Sequence, residues 1–143
     1  MANGGWRLAN SNIVLMKTTT LILTLLLSHV SALAQSPATV AGTWEGTSLC
    51  TVPNSPCHNE HVVYHVKPDP KDATKFSIDA DKIVNGQEDF MGTLSCVFTA
   101  AKSELYCDTA GDWRFTISGD KMVGTLHLKD GTLYRNVDVT RKN

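Results

Sequence analysis

From Gly42 onward, apolar and polar residues alternate in stretches separated by turn residues, as in "KFSIDA" at 75–80 and "WRFTIS" at 113–118. A helix would need apolar residues every three to four positions, and no such spacing is sustained after Ala34. A two-residue period instead sends successive side chains to opposite faces of a strand. The punctuation "PNSPC", "KPDPKD", "NGQ", "TAAKS", "AGD", "SGD" and "KDG" then divides the chain into eight strands. They run over 42–50, 61–67, 75–83, 89–99, 104–109, 112–118, 121–128 and 132–141. Asn85-Gly86 and Asp130-Gly131 favour tight hairpins, because these residue types tolerate positive φ. Short links make an antiparallel meander, and eight strands close most simply as an up-and-down barrel. The fold class predicted is all-β: an eight-stranded antiparallel up-and-down barrel.

Alternation also assigns faces. Trp44, Tyr64, Phe76, Phe90, Phe98, Trp113 and Phe115 fall on one side with Val62, Ile78, Leu94, Leu105, Ile117, Met122, Leu126, Leu133 and Val137. Glu45, Thr47, Asp79, Asp108, Arg114, Asn136 and Asp138 fall on the other. Gly92 and Gly124 lie inside strands, where glycine marks a bend or a close approach. Arg135 breaks the apolar face, in line with Leu133 and Val137. A buried guanidinium needs a partner or an aromatic face. In a closed barrel the last strand lies beside the first, so Arg135 is expected to stack on Trp44.

The N-terminus carries a different signal. Lys17, the apolar run "LILTLLL" and "ALA" before Gln35 form a secretory leader, too short in its apolar core for a comfortable membrane span. Cleavage is expected after Ala34, with residues 1–15 a possible upstream extension. The organisation predicted is a leader over 1–34, an extended segment over 35–41 and a barrel over 42–143, with no membrane span in the mature chain. The mature 109 of 143 residues lose Arg7 and Lys17, leaving 11 basic against 14 acidic residues. That balance argues against a nucleic-acid partner. Secreted or periplasmic localisation follows from the leader.

Four cysteines, Cys50, Cys57, Cys96 and Cys107, remain after cleavage. An even count in a small exported domain reads as disulfides, with three pairings open. A hairpin symmetric about Ala101 and Lys102 sets Cys96 opposite Cys107, within disulfide reach at a non-hydrogen-bonded position. Cys50–Cys57 would then tie the end of the first strand to the Pro-rich loop.

With these residues in place the chain resembles a calycin, the superfamily of lipocalins and avidins. The marks are Gly42-Thr43-Trp44 at the start of the first strand and Arg135 on the last. The chain is shorter than a typical lipocalin, shows no C-terminal helix and lacks a set of avidin-like polar contacts. "GTWEG" is similar to nitrobindin-type haem barrels, which are usually longer. Bacterial metalloprotease-inhibitor barrels are similar in length, export, G-x-W start and disulfide. That resemblance implies a segment, here Gln35 to Ala41, that enters a protease cleft.

The most conspicuous chemistry is "CHNEHVVYH", Cys57 to His65, with three of the chain's five histidines. His58, Glu60 and His61 are the candidate metal ligands, because the loop before the strand can curl around an ion. His61 and His65 share a strand face but stand roughly 13 Å apart. Covalent haem is disfavoured, since Cys50 and Cys57-His58 do not make C-x-x-C-H. Ser48, Ser55 and Ser95 lack a G-x-S-x-G elbow, and the carboxylate pairs Asp79/Asp81 and Glu88/Asp89 read as solvated. No cofactor and no catalytic residue is expected. The chain reads as a binding protein whose site is the barrel interior, lined by Trp44, Tyr64, Phe76, Phe90, Trp113 and Phe115. Its expected partner is a small apolar molecule or, alternatively, an exported protein such as a protease.

Overall fold

The computed structural model describes Ser36 and residues 39–143. The expected leader and its cleavage point lie outside the described residues. Eight strands follow: β1 (Gly42–Cys50), β2 (Glu60–Pro68), β3 (Lys75–Val84), β4 (Gln87–Thr99), β5 (Glu104–Asp108), β6 (Asp112–Ser118), β7 (Lys121–His127) and β8 (Leu133–Arg141). Each pairs antiparallel with the next, and β8 returns to β1, closing the barrel. The two-residue period dictates this: inward positions such as Trp44, Tyr64, Ile78, Leu105, Phe115 and Met122 are all essentially fully buried. Among the described residues no helix is long and apolar enough to cross a membrane.

Two disulfides staple the barrel, Cys50–Cys57 and Cys96–Cys107. Cys96 and Cys107 are direct cross-strand partners on β4 and β5, with their Cα atoms 4.1 Å apart. That is the close approach of a non-hydrogen-bonded antiparallel pair.

One end of the barrel is shut. Val40 is completely buried beneath it, and the Trp44 indole N–H donates to the Val40 carbonyl at 3.1 Å. The arginine over Trp44 is Arg141, its guanidinium carbon 4.2 Å from the ring centroid. Arg141 also donates to the carbonyls of Ala41 and Thr39 and pairs with Asp120 at 3.1 Å. This corrects the expectation for Arg135. The closing register sets Trp44 opposite Arg141 and Cys50 opposite Arg135. The two arginines have the same parity but sit six residues apart, roughly 20 Å along β8.

Two inward assignments are also overturned. Phe90 is 62% exposed and Leu133 is 36% exposed. Each lies just beyond a register shift. Between Ala80 and Asp81 the β3–β4 ladder passes from Ala80↔Gly92 to Asp81↔Phe90, leaving Met91 as an extra residue. Between Leu126 and His127 the β7–β8 ladder skips Tyr134 in the same way. One inserted residue reverses the face of everything beyond it.

Candidate ligand site at the open end of the barrel

Aromatic side chains pack against one another in the closed half of the barrel. Phe115 stacks on Trp113 with centroids 5.7 Å apart and meets Tyr64 edge-on at 5.9 Å, while Phe76 and Phe98 form another edge-on pair. Above this layer, toward the opposite mouth, lies a cavity of about 250 Å³. Tyr64, Ala80, Leu94, Met91 and Trp113 supply its apolar wall, and Ser48, Glu60, Thr93, Thr109 and Arg135 its polar atoms. Of the expected lining residues, Tyr64 and Trp113 face the cavity. Trp44, Phe76 and Phe115 point inward but belong to the packed layer, and Phe90 lies outside.

Local structure holds each wall in place. The Trp113 indole donates to the Thr109 carbonyl at 3.1 Å, which fixes the ring at the rim. Gly124, directly opposite Phe115, leaves room for that ring, which an added Cβ would strike. Cys50–Cys57 closes the loop between β1 and β2 at the mouth.

The polar corner is organised around Arg135. Its side chain, only 13% exposed, pairs with Glu60 at 2.9 Å. It donates to Ser48 Oγ at 3.2 Å and to the His58 carbonyl at 3.1 Å. A desolvated guanidinium therefore has a carboxylate and two oxygens within reach, as burial demands. Tyr64 is pushed up to about 12 by burial, with a hydrogen bond to Ser48 and the Arg135 charge acting in the opposite direction. Its hydroxyl is neutral under ordinary conditions and can hydrogen-bond a ligand.

The candidate metal ligands are divided by the strand pleat. Glu60 turns toward the mouth and Arg135, His61 points outward to Glu45 at 2.9 Å, and His58 contributes its carbonyl to Arg135. Glu45 in turn holds Lys142 at 2.6 Å and lies below the usual carboxylate range, chiefly through that hydrogen bond. A wider hollow of about 540 Å³ lies on the outer surface, bordered by outward residues such as Thr47, Glu104, Arg114 and Asn136. It is a trough with no inward aromatic on its border, so the smaller mouth cavity is the better ligand site.

No protein-family model and no curated protein matches the chain. Among solved structures it is similar to the odorant-binding protein OBP1, with a TM-score of 0.50 and 13% identity over 78% of this chain and 76% of that one. It also matches the odorant-binding protein from bovine nasal mucosa, with a TM-score of 0.48 and 14% identity over 76% of this chain and 75% of that one. Aphrodisin, a sex pheromone from female hamster, matches with a TM-score of 0.45 and 15% identity over 71% of this chain and 74% of that one. At such identities the shared property is the fold, and the OBP1 match carries it. The closed eight-stranded meander with its G-x-W start thus has the same barrel fold as that odorant-binding protein, a lipocalin-like fold.

Proposed function

We propose that this chain is an exported barrel that binds one small, mainly apolar molecule in its mouth cavity. The observation that carries this is the cavity itself: about 250 Å³, walled by Tyr64, Leu94, Met91 and Trp113, with the Arg135–Glu60 pair at one corner. Apolar walls with a few convergent polar groups are the usual form of a small-molecule site. At about 250 Å³ the cavity lies just below the usual range for small-molecule sites, which is roughly 300–1,000 Å³. The ligand class is therefore a single ring or short chain with one hydrogen-bonding end. The similar structure OBP1 is by name an odorant-binding protein, which agrees with this reading. The leader pattern and two disulfides support export.

The protease-directed alternative is less well supported. Val40 is buried in the core, and the carbonyls of Thr39 and Ala41 are held by Arg141. This part of the segment is therefore engaged by its own barrel.

Native mass spectrometry of the mature protein with a graded series of aromatic alcohols and short-chain aldehydes tests the proposal, alongside Trp113 fluorescence. One-to-one saturable binding is expected. Ala80→Leu, which fills the cavity, should weaken it at least tenfold while circular dichroism stays unchanged. Absence of saturable binding across the series, or affinity indifferent to Ala80→Leu, would overturn it.

A further inference from the structure

We propose that His65, Asp81 and Glu88 form a divalent-metal site on the outer face of the barrel, separate from the mouth cavity. The three side chains come from three adjacent strands, β2, β3 and β4. One ligand atom from each lies within 4.8 Å of the others. His65 Nε2 stands 3.0 Å from Glu88 Oε2 and 3.6 Å from Asp81 Oδ2. Ligand bonds of 2.0–2.1 Å in tetrahedral geometry place donor atoms about 3.4 Å apart. The two histidine distances bracket that spacing, and rotation of the half-exposed Glu88 side chain closes the remaining one.

The imidazole is held for the purpose. His65 Nδ1 lies 3.2 Å from Thr43 Oγ1, the kind of outer contact that fixes a ligand ring and its tautomer. In the tautomer where Nδ1 donates to Thr43, the Nε2 lone pair is directed at two carboxylates, the donor set that a shared divalent cation would complete. Asp81 deepens the demand, because the residue is only 8% exposed and a sequestered carboxylate requires a countercharge. Among the described residues, His65 is the sole ion-pair partner of both Asp81 and Glu88. The neighbouring cluster differs: His61 and Lys142 both pair with Glu45, which already balances its charge.

The bulge at Met91 assembles the site. Asp81 pairs with Phe90 and Ile83 with Glu88, so Glu88 shares the outer face with Asp81. Without the extra residue Glu88 would point the other way. One imidazole and two carboxylates, completed by water, suit zinc or a similar borderline ion. Calcium prefers an all-oxygen cage and copper(I) prefers sulfur.

The test is isothermal titration of untagged, chelator-stripped mature protein with zinc chloride, with cobalt(II) absorption as a second readout. We expect one ion per chain, a higher melting temperature in excess zinc and a visible cobalt band of a nitrogen–oxygen site. Asp81→Asn and Glu88→Gln should each weaken zinc at least tenfold, whereas His58→Gln and His61→Gln should not. Glu88 is exposed enough that Glu88→Gln decides the matter even where Asp81→Asn folds poorly. No zinc binding, affinity unchanged in Glu88→Gln, or loss in His61→Gln would each overturn the site.

Discussion

Two arginines on β8 of equal parity have different work. Arg141 covers an indole and caps two backbone carbonyls at the closed end. Charge-assisted hydrogen bonds to groups shielded from water contribute more than neutral ones. Arg141→Ala is therefore expected to cost about 2–3 kcal/mol, read as a shift of the urea midpoint. Arg141→Lys should recover little, because an ammonium cannot lie flat on the indole while serving both carbonyls. Tyr64 carries a pH prediction. Its phenol ionises near 10 when unfolded but near 12 in the barrel, so the folded state resists losing that proton. The stability it lends is complete below pH 10 and declines as pH rises toward 12. The loss is about 2–3 kcal/mol at most. Urea midpoints measured from pH 8 to 12 should fall more steeply in the wild type than in Tyr64→Phe.

At the scale of elements, the β3–β4 hairpin turns on a single extra residue. Gly92, beside the bulge, has φ +150°, and nothing lies within 4 Å of an added Cβ. Gly92→Ala should thus cost about 1–2 kcal/mol through the backbone alone. Gly124 presents the opposite case, with the Phe115 ring where its Cβ would go. Gly124→Ala should cost about 1–3 kcal/mol by overpacking. A double-mutant cycle with Phe115→Leu separates them: coupling is expected with Gly124→Ala and none with Gly92→Ala. The bulge also explains how much of the sites was legible. Tyr64 and Trp113 announced themselves by parity, since no irregularity separates them from their neighbours. Ser48, Glu60 and Met91 did not, because depth along the barrel axis is set by strand stagger. Glu88 and Asp81 read as unrelated solvated acids until the bulge brought them to one face with His65.

For the whole molecule, a small domain closed by one seam depends on its staples. Cys96–Cys107 is buried between β4 and β5, whereas Cys50–Cys57 closes a shorter loop at the mouth. Replacing Cys96 and Cys107 by alanine should cost about 3 kcal/mol or more in a denaturant melt, because loop entropy and core packing are lost together. Removing Cys50–Cys57 should cost less. The two-residue period and the turn residues, being local, were enough to specify eight antiparallel strands, the facing of Cys96 and Cys107 across one hairpin and most of the core. Which cysteines pair was settled by the structure. Three features belonged to the tertiary structure alone: Arg141 rather than Arg135 across the seam, the outward Phe90 and Leu133, and the meeting of His65, Asp81 and Glu88. All three depend on register between strands. Register is settled by closure and by bulges, where the fit of two packed strands, rather than the propensity of either, chooses the position of the extra residue.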